Sequence, residues 1–149
     1  MLNFSNKNMN FQNAIKTCIK KKYANFSGRA SKSEFWFFLL FVLLGGVATT
    51  IIDIMMSSYS VSYFSFSNFF LTSYGWGPVN SIYQLLVILP SLAVSARRLH
   101  DTNRSGWWYL LMFLPIVGGI ILIIWWATKG EKKKNKFGNP IKLKGKRKR

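Results

Sequence analysis

The stretch that decides the fold runs from Trp107 to Ala127 and reads WWYLLMFLPIVGGIILIIWWA. It contains no charged residue, and about 20 apolar residues are enough for an α-helix to cross roughly 30 Å of hydrocarbon. One tryptophan pair begins the stretch and a second pair ends it. From Trp108 to Trp125 a straight helix would rise about 26 Å, at ~1.5 Å per residue, which would put one indole pair at each membrane interface. The stretch therefore predicts a transmembrane helix.

Two further apolar segments, at residues 35–56 and 78–98, have similar lengths. The chain of 149 residues carries 21 Lys and Arg against 4 Asp and Glu, a formal net charge of +17, yet Asp53 is the only charged residue between Glu34 and Arg97. Charge is thus kept out of the apolar segments, which is typical neither of a soluble basic protein nor of a disordered one. We predict an all-α integral membrane protein whose transmembrane domain, residues 35–127, has three helices.

The region before these helices, residues 1–34, is basic and contains an apolar stripe at helical spacing. The stripe consists of Phe11, Ile15, Ile19 and Tyr23, and Lys16, Lys20, Lys21 and Lys22 fall mostly beside it. This pattern predicts a short amphipathic helix, at about residues 11–25, that lies on an anionic membrane surface. A helix docked on a partner protein would show the same pattern.

The region after the helices, residues 128–149, is a basic tail. It holds 11 lysines and arginines, and repulsion among them predicts that the tail is disordered. Its expected partner is the anionic phospholipid of the bilayer, at about 1 kcal/mol for each basic residue near a charged surface. Nucleic acid is not expected as a partner, because Phe137 is the only aromatic residue of the tail on which a base could stack.

Two acidic residues belong to the first apolar segment or its entrance. Ser31 and Glu34 have the spacing of a capping box, so Glu34 is expected to cap the helix or form an ion pair rather than act as an acid in a site. Asp53 lies near the end of the segment, where contact with interfacial water is the preferred interpretation. The alternative is an intramembrane functional residue, a proton or cation relay, because a carboxylate in hydrocarbon is costly.

Two polar blocks, one before the first helix and one between the second and third, carry complementary charges. Their candidate site residues are Arg29, Glu34, Arg97, Arg98, His100, Asp101 and Arg104. On one face of the bilayer, Glu34 would pair with Arg97 or Arg98, and Arg29 with Asp101. The preferred interpretation is a clasp that holds a helical hairpin. The alternatives are a headgroup pocket formed by the later arginines with His100, and catalysis by His100 and Asp101, with Ser105 as the nearby nucleophile.

The distribution of positive charge does not settle the number of crossings. Three crossings put 10 lysines and arginines on one side and 11 on the other, whereas a fourth crossing within residues 57–77 would give 18 against 3. That uncharged stretch is rich in serine and poor in aliphatic side chains, so its insertion into the bilayer would gain little hydrophobic free energy. We therefore predict three crossings, with the two polar blocks on the same face.

Three blocks of the sequence resemble those of a known family. They are KYANFSGRASKSEFW at residues 22–36, LPSLAVSARRLHDTNRSGWW at residues 89–108, and a terminal Gly130 followed by NKFG at residues 135–138. They look like the signature blocks of the YhaH/YhaI-like small bacterial inner-membrane proteins, the domain of unknown function 805 family. The resemblance implies a compact three-helix protein of the bacterial inner membrane with no established activity. The serine-rich stretch and the very basic tail depart from the family pattern.

Composition restricts the classes of function. Cys18 is the only cysteine and His100 the only histidine, so an internal disulfide and the usual His/Cys metal clusters are excluded. No catalytic residue, metal or cofactor is predicted. We expect a non-enzymatic membrane protein that binds lipid or another membrane protein through the polar face made by the two blocks. The alternative is a subunit of a small transporter or channel, which would need a homo-oligomer because three helices can hardly enclose a pore.

Overall fold

The computed structural model describes residues 9–56, 77–114 and 116–141, and the regular secondary structure in these ranges is helical. In chain order the elements are α1 (Phe11–Lys16), a π-helical turn (Thr17–Lys21), α2 (Lys32–Met56), α3 (Pro78–Asp101), a 3-10 helix (Gly106–Phe113) and α4 (Val117–Ala127). The prediction of an all-α chain is confirmed for these ranges. The serine-rich stretch considered for a fourth crossing lies outside the described residues except for Gly77, and so does the tail from residue 142.

The chain divides into two compact units. The first unit combines the residues up to Leu39 with those from Leu89 onward, and the second is Leu40–Ile88. The first unit therefore contains the beginning of α2, the end of α3 and everything that follows α3. The second unit contains the end of α2, with Asp53, and the beginning of α3.

Two helices, α2 and α3, are long and apolar enough to cross a membrane. With 25 and 24 residues they rise about 37 and 36 Å, at ~1.5 Å per residue, which exceeds the ~30 Å of the hydrocarbon core. Large apolar side chains cover the outside of α2; Leu44 is 56% exposed and Met55 82% exposed. Continuous apolar surface of this kind is unfavourable in water and suits contact with lipid chains.

The third apolar segment does not form the single straight helix that its tryptophan spacing predicted. It is a helical hairpin, in which the 3-10 helix packs side by side against α4. The rings of Trp108 and Trp125 touch edge to face, with centroids 5.6 Å apart. The ring centroids of Tyr109 and Trp126 are 6.1 Å apart. The prediction that the two tryptophan pairs mark opposite interfaces is therefore wrong, since the hairpin returns the chain to the end from which it started.

Local backbone geometry explains the reversal. Leu114 is extended (φ −88°, ψ 103°), the conformation that a residue before a proline prefers, and Pro115 follows it in the sequence. Ile116 has a positive φ of 64°, which turns the chain before α4 begins. Gly118 then lets the two helices approach closely, because a Cβ atom there would overlap the carbonyl oxygen of Leu111.

The N-terminal helix is shorter than predicted and packs on the protein. Helical structure ends at Lys21 rather than near residue 25. Ala14 and Cys18 are fully buried, whereas the members of the predicted stripe, such as Ile15, are only half-buried. Phe11 meets Phe37 of α2 edge to face, with ring centroids 6.3 Å apart. The helix thus docks through its small residues, and the apolar stripe lies beside that contact.

Candidate functional site: a buried arginine–carboxylate cluster

The polar blocks meet where α2 begins and α3 ends. Ser31 caps α2 by accepting a hydrogen bond from the backbone N–H of Glu34 at 3.1 Å, so the capping serine is observed while the Glu34 carboxylate is left for another partner. The chain before α2 is tied to α3 by a backbone hydrogen bond in which Ala30 donates to the carbonyl of Arg97 at 2.9 Å. Gly28 lets the chain before α2 turn toward α3, since its φ of +85° is a conformation that glycine adopts without strain.

The first ion pair joins Glu34 to Arg97. Arg97 Nη1 lies 2.5 Å from Glu34 Oε1, and both side chains are buried. The thiol of Cys18 lies 3.9 Å from Glu34 Oε1 and 3.9 Å from Arg97 Nη2. Burial, with a smaller contribution from the Glu34 carboxylate, raises the pKa of Cys18 to about 12, so this thiol stays protonated. Burial and the nearby Arg97 guanidinium lower the pKa of Lys22.

The second set of ion pairs shares one carboxylate between two arginines. Asp101 Oδ1 accepts from Arg29 Nε at 2.8 Å, and Asp101 Oδ2 accepts from Arg98 Nη1. All three residues are buried. Together with the first pair, three buried guanidinium groups face two buried carboxylates, so one positive charge requires further acceptors.

Backbone carbonyls in the last turn of α4 and in the chain after it supply those acceptors. Arg29 donates to the carbonyls of Lys133, at 3.0 Å, and Glu131. Arg98 Nε donates to the carbonyl of Trp126 at 2.9 Å, and its Nη2 donates to that of Thr128. The last turn of α4 and the chain that follows it therefore supply acceptors to Arg29 and Arg98, whereas Arg97 Nε has no hydrogen-bond partner within the described residues.

The expectation of a disordered tail is wrong for residues 128–141. Glu131 donates its backbone N–H to the carbonyl of Asp101 at 2.9 Å, and Asn135 Nδ2 donates to the carbonyl of His100 at 3.0 Å. A glycine is required at position 130, where the tail passes over Asp101, because a Cβ atom there would overlap the Asp101 carboxylate. Repulsion among the lysines does not prevent this order, since the backbone of the segment binds buried arginines while its lysine side chains remain in solvent.

His100 and Arg104 lie beside the ion pairs rather than within them. His100 donates from Nδ1 to the carbonyl of Gly28 at 3.1 Å, and its ring stacks on Phe137 with centroids 3.8 Å apart. Arg104 lies over the Trp125 ring, 4.4 Å from its centroid. Of the seven candidate residues, five form the buried ion pairs, and these two hold the tail and the hairpin in place.

The buried geometry favours the clasp over the headgroup pocket. Arg97 and Arg98 are 0% exposed, so neither presents a guanidinium edge to a lipid phosphate. The catalytic alternative also lacks its geometry, because Asp101 binds two arginines and the Nδ1 hydrogen bond of His100 goes to the backbone carbonyl of Gly28. Within the described residues, no group of three or more His, Cys, Asp or Glu side chains could hold a metal ion.

Asp53 is a buried helix cap and not a solvated interfacial carboxylate. It is 5% exposed, and its two oxygens accept backbone hydrogen bonds from Val79 at 3.1 Å and Asn80 at 2.8 Å. These N–H groups belong to the first turn of α3, where a carboxylate cap contributes about 1 kcal/mol. Gly77 permits the contact, because a Cβ atom there would overlap the carboxylate. The expectation of water contact is therefore wrong.

Several groups of the site are uncharged, so the distribution of charge along the sequence could not identify them. The backbone carbonyls of residues 126–133 cannot be recognised from composition, and a single cysteine such as Cys18 gives no signal that it contacts an ion pair. The available signal was the family-like spacing of Gly130 and the NKFG block. In the structure, Gly130 passes over Asp101, Asn135 binds the carbonyl of His100, and Phe137 stacks on the His100 ring.

The chain is similar to known bacterial proteins over most of its length. A family model described as a protein of unknown function (DUF805) matches residues 23–139, a range that begins before α2 and ends in the ordered part of the tail. The inner membrane protein YhaH of Escherichia coli (strain K12) is 35% identical over 125 residues, which cover 84% of this chain and 93% of that protein. The inner membrane protein YhaI of the same strain is 35% identical over 84% of this chain and 92% of its own length.

No solved structure matches the chain. The relatives match almost over their full length, and the predicted location in a bacterial inner membrane is confirmed by them and by the two apolar helices. On these grounds the chain belongs to the DUF805 family of inner-membrane proteins, whose function is unknown.

Proposed function

We propose that this protein is non-enzymatic and binds anionic phospholipid headgroups through the lysine-covered surface that surrounds the buried cluster. We call this surface the lysine rim; it consists of the exposed Lys16, Lys20, Lys21, Lys32, Lys129, Lys132, Lys133, Lys134 and Lys136. The observation that carries the proposal is that the acidic side chains are mostly buried, whereas the lysines of the rim are exposed. Glu34 and Asp101 are buried with arginines, and Glu131 is the one exposed acidic residue in the described part of the chain.

The path of the chain supports this assignment. We infer two crossings, α2 and α3, followed by the hairpin of the 3-10 helix and α4, which enters and leaves on one side of the membrane. The edge-to-face contact of Trp108 with Trp125 and the binding of the Trp126 carbonyl by Arg98 support such a re-entrant hairpin. By chain connectivity, all 21 lysines and arginines then fall on one side, against the tie that three crossings gave. The positive-inside rule assigns that side to the cytoplasm.

The energetics favour lipid as the partner. The cytoplasmic leaflet carries anionic lipids, and a basic residue close to it gains about 1 kcal/mol. The gain falls off within a Debye length of ~8 Å at physiological salt, so it depends on the lysines that the ordered tail and α1 hold near the membrane. The buried clasp provides that positioning, because it ties both segments to the ends of α2 and α3.

The transporter alternative has less support. Its candidate relay was Asp53, whose oxygens both accept backbone hydrogen bonds as a helix cap. A carboxylate used in this way is not presented to a path for protons or cations. Binding to another membrane protein would use the same surface and is an outcome that the following experiment separates from lipid binding.

The experiment measures lipid retention by purified protein with native mass spectrometry. The protein is offered phosphatidylglycerol or phosphatidylcholine, and we expect preferential retention of phosphatidylglycerol that weakens as salt is added. Glutamine at Lys129, Lys132, Lys133 and Lys134 removes four positive charges from the rim, and we expect at least about a tenfold loss of the preference. Arginine at the same four positions is the matched control and should retain it.

Equal retention of both lipids by the unchanged protein would contradict the proposal. The same conclusion would follow if the glutamine variant kept its preference for phosphatidylglycerol. If the glutamine variant instead lost a crosslinked protein partner in native membranes while its lipid preference was unchanged, the rim would be a protein interface.

A further inference from the structure

An apolar crevice of about 420 Å³ lies in the first unit beside the last turns of α3 and the 3-10 helix. Leu92 and Ala96 of α3 and Leu110 of the 3-10 helix line it, with Trp107 at its edge. Its volume falls within the range of roughly 300–1,000 Å³ that is common for ligand pockets. The buried ion pairs and the lysine rim do not line it, so the crevice is distinct from both surfaces described above.

The residues that line this apolar space include three with polar side-chain groups, His100, Ser105 and Tyr109. The groups of His100 and Ser105 have a hydrogen-bonding character that their backbone contacts define. His100 Nδ1 must carry a hydrogen, because it faces the Gly28 carbonyl, which can only accept. In the neutral imidazole the other nitrogen, Nε2, is then an acceptor. Gly106 lines the crevice close to Nε2 and has no side chain to cover it.

The second polar group is the hydroxyl of Ser105. Its oxygen accepts a hydrogen bond from the backbone N–H of Trp107 at 3.4 Å, which leaves the hydroxyl hydrogen free to be donated. An acceptor and a donor that line the same crevice match a ligand hydroxyl group, which can donate to Nε2 and accept from Ser105. Among the described residues, no lysine, arginine or carboxylate lines the crevice, so a charged headgroup would lose its hydration there without gaining a partner.

We propose that the crevice binds an uncharged long-chain alcohol of the membrane, with its hydroxyl group between His100 and Ser105 and its chain along Leu92 and Leu110. Diacylglycerols and isoprenoid alcohols share this chemistry. The site lies where α3 ends and the hairpin begins, so the hydroxyl group would sit at the interface and the chain would extend toward hydrocarbon. Recognition is therefore by hydrogen bonding of the head and by burial of the chain, without electrostatic attraction.

The test is photolabelling of the full-length protein in phosphatidylcholine nanodiscs, because that lipid has no hydroxyl group in its head. The probe is dodecanol with a diazirine in its chain, and labelled positions are mapped by peptide mass spectrometry. We expect labelling within residues 89–113, and competition by dodecanol at least about tenfold stronger than by dodecyl methyl ether, which cannot donate a hydrogen bond. A diacylglycerol and farnesol, tested as separate competitors, identify which natural class fits better.

Two variants separate binding in the crevice from partition into lipid. Leu110→Trp fills the crevice and should abolish the labelling that dodecanol competes. Ile120→Trp places the same side chain at an exposed position of α4 that does not line the crevice, and it should leave the labelling unchanged. Equal competition by the ether, labelling that persists in Leu110→Trp, or labelling confined to other segments would each overturn the proposal.

Discussion

Replacement of Asp101 by asparagine removes the carboxylate that Arg29 and Arg98 share. Asparagine keeps the shape and one carbonyl oxygen, but it leaves two buried guanidinium groups without an opposing charge. Loss of one partner from a buried ion pair costs about 3–5 kcal/mol. The backbone carbonyls of the tail still accept from both arginines, so we expect the lower part of that range, about 3 kcal/mol, rather than twice the single-pair value.

The assay is thermal unfolding of the purified protein in a mild detergent, followed by tryptophan fluorescence. With about 2–4 °C for each kcal/mol at this chain length, the midpoint should fall by roughly 6–12 °C. Glu131→Gln is the matched control, because Glu131 is exposed and takes part in the cluster through its backbone; its midpoint should stay within about 1–2 °C.

A double variant tests the physical reason for the loss. If the cost comes from an uncompensated buried charge, Arg98→Gln combined with Asp101→Asn should be less destabilised than the sum of the two single changes. A midpoint for Asp101→Asn that equals that of the control would refute the reasoning, and strictly additive effects would show that the two side chains do not interact.

The hairpin, the buried thiol and the ordered tail each predict a separate experimental result. Cysteines that replace Trp108 and Trp125, in a chain with Cys18→Ala, should be joined by a short bismaleimide, whereas a straight helix would hold them about 26 Å apart. Iodoacetamide should leave Cys18 of the folded protein unmodified at pH 8, because a pKa of about 12 instead of 9.0 lowers the thiolate fraction by ~1,000-fold, and unfolding should restore the reaction. The same shift stabilises the fold below pH 9 and is lost as the pH rises from 9 toward 12. Gly130→Val should displace the tail from Asp101 and expose it to trypsin, while Gly119→Ala, where an added Cβ atom meets no atom within 4 Å, should leave proteolysis unchanged.

The ion pairs were accessible to sequence reasoning because charge is scarce in this chain outside the lysine-rich ends. Glu34 and Asp101 are two of only four acidic residues, and each lies in a block that flanks an apolar segment. If the two blocks meet, Glu34 and Asp101 are the acidic residues available to pair with Arg29 and Arg97. The pairs Arg29–Asp101 and Glu34–Arg97 accordingly appear in the structure, with Arg98 added to the first of them.

The hairpin was not accessible in the same way. A run of 21 uncharged residues has the length of a transmembrane helix whether or not it reverses, and tryptophans at both ends fit two interfaces as well as one. The reversal depends on the extended Leu114, the positive φ of Ile116 and the missing Cβ of Gly118. Pro115 and Gly118 are tolerated in membrane helices, so their presence alone did not predict it.

The predictions of a disordered tail and of a solvated Asp53 were wrong for a related reason. Both depend on backbone hydrogen-bonding groups, which every residue has and which no composition reveals. The lysine content of the tail describes its side chains, whereas its order comes from carbonyls that bind Arg29. The cost of a carboxylate in hydrocarbon predicts water contact for Asp53, but hydrogen bonds from the backbone N–H groups of Val79 and Asn80 offset that cost.

The most direct test of this account is the sidedness of two single cysteines in membrane vesicles. Gln12→Cys lies in α1 and Asn139→Cys in the tail, both are exposed, and both are made in a chain with Cys18→Ala. A membrane-impermeant maleimide should label both in inside-out vesicles and neither in right-side-out vesicles, because two crossings and a re-entrant hairpin keep both segments on the cytoplasmic side. Labelling of the two cysteines from opposite sides would mean an odd number of crossings and would contradict the account.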